Sequence, residues 1–119
     1  MDFGLSEEQE MIVQTVRSFV ENEIYPHEDL VERSGEVPAE IAMQIKKKTI
    51  DMGFYACNFD QTVGGAGLNH LEFALVEREL GRGSMALTHF FGRPQNILMA
   101  CEGDQRERYL FPVVRGEKM

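Results

Sequence analysis

The chain has 119 residues, 43% of them hydrophobic, which is enough for one domain and one core. Twelve basic residues stand against twenty acidic ones, a formal net charge of −8 that argues against nucleic acid and an anionic membrane surface as partners. Cys57 and Cys101 sit far apart in apolar contexts and read as buried free thiols, and with His70 and His89 they have no metal-ligand spacing.

The opening, MDFGLSEEQE, is acidic and starts a helix at once, so it reads as neither a signal nor a transit peptide, and no apolar run reaches the length of a membrane span. A reducing compartment, the cytoplasm, is the expectation. Ser6 followed by Glu7, Glu8 and Gln9 is a capping box with acid in the first turn. Ile12, Val16, Phe19, Val20 and Ile24 then recur at helical spacing. Pro26 removes a backbone donor and should end or kink this helix near Ile24.

Residues 34–38 form a loop, with Pro38 suited to the first turn of the next helix. Ile41, Ile45, Thr49 and Met52 share one face of that helix, and Gly53 closes it as a left-handed cap. Lys46, Lys47 and Lys48 read as a solvated basic end in preference to a binding patch. Residues 54–59 are either a short strand or a buried connecting segment.

The glycines at 64, 65 and 67 lead into a helix capped by Asn69, with Glu72 placed to reach back to the cap amide. No Lys-Ser/Thr follows these glycines and no strand precedes them, so a tight connection is favoured over a phosphate cradle. Leu71, Phe73, Ala74, Leu75, Val76 and Leu80 supply enough apolar surface to predict a central helix touched on several sides. Glu77 and Glu79 lie two apart, on different faces, and cannot share a substrate atom; Arg78, Arg82, solvent or a neighbouring domain are their expected partners.

Ser84 can cap a further helix, in which Gly92 and Pro94 predict a kink or two shorter helices. Ser84, Thr88, His89 and Asn96 among apolar neighbours suggest a cavity beside the break; a packing compromise is the plainer reading, and His89 alone reads as a core histidine. Asp104, with Glu107, predicts a last capping box, Tyr109, Leu110, Val113 and Val114 an apolar side, and Pro112 a stop or bend. The fold class is all-α, a bundle of five to six helices with short loops. No residue is assigned as catalytic, cofactor-binding or metal-ligating.

Three blocks in order resemble the N-terminal helical domain of the acyl-CoA dehydrogenase family. LSEEQEMIVQTVRSFVENEIYP is similar to its opening helix. DMGFYACNFDQTVGGAGLNHLEFALVERELGR is similar to the next block, with its Gly-Gly-x-Gly turn and a helix ending Glu-x-Glu-Leu. GDQRERYLFPVVRGEK is similar to the closing helix. Residues 59–63 and 85–96 depart from the usual pattern.

The resemblance implies one N-terminal domain over residues 1–119, a piece of a three-part enzyme. FAD would be gripped by a β-domain and the catalytic carboxylate supplied by a C-terminal helical domain, so the chain alone is expected to be inactive and not to bind FAD. It implies that this domain walls the acyl-CoA pocket, with Ser84, Thr88, His89 and Gly92 about one turn apart on the pocket side. The polarity of Thr88 and His89 suggests an acyl group shorter or more polar than a long fatty chain. Two alternatives stand beside this: the same domain of an acyl-CoA oxidase or flavin monooxygenase, and a free-standing helical interaction module. A domain of a larger enzyme should leave an apolar face bare or hide it by self-association.

Overall fold

The computed structural model describes residues 4–118. The ends of the expected 1–119 domain, residues 1–3 and Met119, lie outside the described residues. Among the described residues there are six α-helical stretches and no strand: α1 (Glu7–Phe19), α2 (Tyr25–Ser34), α3 (Ala39–Met52), α4 (His70–Leu80), α5 (Met85–Thr88) and α6 (Phe111–Val114). The all-α fold class expected from the sequence is what forms.

Local chemistry starts the long helices. Ser6 accepts from the Gln9 amide at 3.2 Å while the Gln9 side chain accepts from the Ser6 amide at 2.9 Å. Asn69 and Glu72 form the same reciprocal pair at 2.8 and 2.9 Å. Each box satisfies two amides that a helix start leaves open. Gly53 ends α3 at φ 79°, and Ile45 and Thr49 are buried on its inner face.

Both prolines that follow long apolar patterns act through one device. A π-helical turn, Val20–Ile24, joins α1 to α2, and a second, Arg106–Leu110, precedes α6. Each ends two residues before a proline, Pro26 or Pro112. Proline offers no N–H to the carbonyl four residues back. The ladder widens instead, with the Tyr25 amide bonding to Val20 O and the Phe111 amide to Arg106 O, five residues back. The helix therefore bends and carries on.

Two buried clusters make the core. In the larger, Phe19, Val20 and Ile24 meet Val76 and Leu80 of α4 and Phe91 beyond α5. Phe19 and Phe91 pack edge to face with ring centroids 5.2 Å apart. Burying a ring the size of Phe91 stabilises by about 1.5–3 kcal/mol. The smaller joins Tyr55, Ala56, Phe59 and Val63 to Leu110 and Val114. Residues 54–59 are the buried connecting segment, not a strand, because Gly53 and Ala56 (φ 55°) both turn the chain.

The glycine turn is a tight connection. A Cβ on Gly65 would lie 2.2 Å from the carbonyl oxygen of Phe59. The amides of Gly64, Gly65 and Gly67 are committed to the carbonyls of Gln61, Asp60 and Phe59.

Several expectations are corrected. α4 is not enclosed: Leu75, Val76, Glu79 and Leu80 are buried, but Leu71 is 53% exposed and Ala74 is also open, because α4 packs chiefly on α1 along one stripe. The Asp104–Glu107 box does not form. Gln105 Oε1 instead accepts from the Glu102 amide at 3.0 Å, a pair of the same spacing two residues earlier. Tyr109 is exposed rather than on the apolar side, since the π-turn shifts the register by one residue, about 100°. Cys57 is buried as expected, but Cys101 is only half-buried. Residues 96–100 form a 3₁₀ turn, not a second α-helix.

Candidate functional site

The segment from Gly83 to Pro94 is held from three sides. Gly83 is pressed against Ile24, where a Cβ would lie 2.8 Å from Cγ2. Ser84 stands at the N-cap position of α5, yet its side chain makes no cap bond; its amide donates to Glu28 Oε1 at 2.7 Å. Arg93 donates from Nη1 to the Thr88 carbonyl at 2.7 Å and from Nε to Glu77 at 2.6 Å. That clamp folds the chain back after α5.

The break itself is built by Gly92. Its φ is 85°, and a Cβ there would fall 2.1 Å from the Tyr55 ring. Its carbonyl accepts from the Ala56 amide at 2.9 Å. Beyond it, Asn58 Nδ2 donates to Pro94 O and to Asn96 Oδ1, both at 2.9 Å, while Asn58 Oδ1 is buried without a partner among the described residues.

The four residues singled out in the sequence do not share one side. Thr88 and Gly92 are buried, Ser84 is half-buried and His89 is exposed. Thr88 and His89 are adjacent, so helical winding points them about 100° apart, and His89 faces outward where Thr88 faces in. His89 is therefore not a core histidine; its ring meets Phe90 edge-on at 5.3 Å. Around it Met85 (84% exposed) and Ala86 are also open. Two surface grooves lie elsewhere. One, of about 380 Å³, is lined by Thr15, Ser18 and Asn22 on one side and Lys48 and Met52 on the other. The second, of about 240 Å³, lies beside Tyr55, Gly65 and Val114.

The strongest electrostatic feature is Glu79, whose side chain is fully buried. Arg17, Arg78 and Arg82 reach it through Nε at 2.8, 3.0 and 3.2 Å. The hydrogen bond from Arg17 comes first in holding this carboxylate below its usual range, against the opposing effect of desolvation, and the same bond raises the pKa of Arg17. Arg78 and Arg82 were expected partners; Arg17 and, for Glu77, Arg93 were not. Burial pushes the Cys57 thiol up to about 12, so it is held neutral and unreactive. Burial also raises the Tyr55 phenol. Lys47 and Lys48 are exposed and pair with Asp51 and Glu23, whereas Lys46 is half-buried with its Nζ 5.8 Å from the Tyr55 ring centroid.

The sequence pattern described as "Acyl-CoA dehydrogenase, N-terminal domain" matches residues 6–117. The chain belongs to the acyl-CoA dehydrogenase family. It is 31% identical over 118 residues to a 3-(aryl)acrylate reductase of Clostridium sporogenes, covering 95% of this chain and 30% of that protein. It is 35% identical over 122 residues to "Probable acyl-CoA dehydrogenase YngJ" of Bacillus subtilis, covering 98% and 31%. It is 31% identical over 124 residues to a short-chain specific acyl-CoA dehydrogenase of Clostridium acetobutylicum, covering 100% and 32%. The chain thus spans about a third of the length of these relatives. Among the described residues no helix is long and apolar enough to cross a membrane, and no group of three or more His, Cys, Asp or Glu is placed to hold a metal.

Proposed function

We propose that these residues form a single N-terminal domain that walls one side of the acyl pocket in a flavin-dependent acyl-CoA dehydrogenase, and that they are inactive alone. The observation that carries this is the family match across residues 6–117. The open surface around Met85, Ala86 and His89 supports it, since a self-sufficient module would not leave such apolar side chains bare. The same surface would be covered by the rest of the enzyme, or by self-association when the domain stands alone.

In this reading Ser84, Thr88, His89 and Gly92 shape the pocket. Thr88 and Gly92 fix the path of the backbone from beneath, and His89 faces the space to be enclosed. One methylene more or less in such a pocket changes discrimination by about 1–3 kcal/mol. The imidazole favours an acyl group shorter or more polar than a long fatty chain. The short-chain and aryl-acrylate designations of two relatives point the same way.

The glycine turn does not favour a pyrophosphate cradle. The amides of Gly64, Gly65 and Gly67, the best candidates for a pyrophosphate cradle, are all bonded within their own turn. In this reading FAD and the proton-abstracting carboxylate belong to other parts of the enzyme.

The test is a chimera in which this chain replaces the matching third of the Bacillus relative, assayed against a panel of acyl-CoA thioesters. The chimera should dehydrogenate short or aryl-substituted acyl groups best, and His89→Ala should widen the profile toward longer chains. A chimera preferring long saturated chains would remove the substrate reading. Thioester oxidation by the 119-residue chain alone would remove the wall reading.

A further inference from the structure

We propose that Arg17, Arg78 and Arg82 form a binding site for a dianionic oxyanion, a phosphate group, where α1 meets the end of α4. The pairs Arg33–Asp29 and Arg93–Glu77 are one to one. Glu79 alone among the described carboxylates carries three guanidiniums. Three positive charges against one negative leave +2 at this spot, in a chain whose net charge is −8. Glu21 is a further acid whose field reaches Arg17, and it offsets this excess only in part.

Geometry gives the excess charge a direction. All three arginines engage Glu79 through Nε, which turns that edge of each guanidinium inward. Each guanidinium carries five N–H donors and one carboxylate offers about four acceptor sites, so Glu79 leaves most of the three arginines' donors over, and the side chains are 32%, 55% and 50% exposed. Arg17 and Arg82 bond to the same oxygen of Glu79, so their Nε atoms are no farther apart than those two bond lengths combined. Arg78 lies in the last turn of α4 and Arg82 in the turn that follows it.

A flexible surface arginine gives up side-chain freedom when it binds an anion. Here a buried carboxylate has already fixed the three planes. Guanidiniums held in this way present forked donors that suit phosphate oxygens. The excess stays positive after Glu21 is counted, which favours an anion such as a phosphate monoester, about −2 near neutral pH. The site is independent of the acyl pocket, and it stands or falls separately from the reading of function given above.

The experiment is a titration of the 119-residue chain with inorganic phosphate, read from the arginine Nε–H signals by NMR, with chloride at matched ionic strength as the reference. Saturable shifts at Arg17, Arg78 and Arg82 with phosphate, absent with chloride, are expected. Arg78→Gln combined with Arg82→Gln leaves the Arg17–Glu79 pair in place and should weaken binding about tenfold, the equivalent of two exposed charge contacts. Circular dichroism of the double variant checks that the fold persists. A parallel titration with glycerol phosphate separates the sources: tighter binding names a phosphate ester as the ligand, and equal or weaker binding names the free oxyanion. Linear shifts equal to those with chloride, or a folded double variant that binds as the parent does, would overturn the site.

Discussion

Replacing Glu79 by Gln tests the largest buried electrostatic contact in the molecule. The substitution keeps the shape of the side chain but removes its charge and turns one acceptor oxygen into a donor. Three guanidiniums at 2.8–3.2 Å then face a group that can accept only through one oxygen. Hydrogen bonds to a charged group contribute about 1.5–3 kcal/mol each when buried. The arginine side chains are one-third to one-half exposed, and solvent screens part of that sum. We expect a net loss of about 2–3 kcal/mol at pH 7. At roughly 2.1 cal/mol/K per residue of unfolding entropy, a chain of this length loses about 4 °C of Tm per kcal/mol, so the drop is about 8–12 °C.

The pH dependence supplies a second arm. The folded pKa of Glu79 lies below its ordinary value of 4.5. Its stabilisation is therefore fully present above that ordinary value and is lost as pH falls through the lower folded pKa. Thermal melts of parent and variant followed by circular dichroism should differ by a constant gap from neutral pH down to about 5 and converge below it. A gap under about 4 °C at pH 7, or one that persists unchanged into strong acid, would refute the reasoning.

Gly92→Ala should cost about 2–5 kcal/mol, combining a left-handed backbone with overlap on the Tyr55 ring, whereas Gly35→Ala, with φ 75° but open space around it, should cost only about 1–2 kcal/mol; urea unfolding of both separates the two contributions. Phe91→Ala should destabilise by about 3–5 kcal/mol by emptying the contact with Phe19 and Phe54, measured by the same unfolding curves. Ellman's reagent at pH 8 should modify half-buried Cys101 in the native protein and Cys57 only on unfolding, because the Cys57 thiol is buried and its pKa is raised to about 12.

What could be read from the sequence was what acts within a few residues. Ser6 with Gln9 and Asn69 with Glu72 lie three apart, so the caps were visible in the order of the letters. The inner face of α3 and the closing turn at Gly53 were visible for the same reason. Where two local solutions overlapped, letters alone did not choose. Glu102–Gln105 and Asp104–Glu107 have the same spacing, and the former prevailed. The contacts that shape the candidate site are of another kind. Arg17 reaches Glu79 across 62 positions, and Ser84 reaches Glu28 across 56. Only the packing of α4 on α1 and the return of residues 84–94 bring those groups together. His89 and Thr88 cannot both face inward, because adjacent residues on a helical turn point about 100° apart, and the letters alone do not say which of the two is buried.

The widened turns ahead of Pro26 and Pro112 have a consequence for how this chain tolerates change. Each adds one residue beyond what an ordinary helical repeat would hold, so everything downstream is in phase only because that residue is present. A one-residue deletion within Val20–Ile24 would swing α2 round by about 100° and carry Val31 out of the interior, although no buried side chain downstream had been altered. In such places the count of residues matters as much as their identity, and a shortened variant with every downstream letter intact would still be built wrongly.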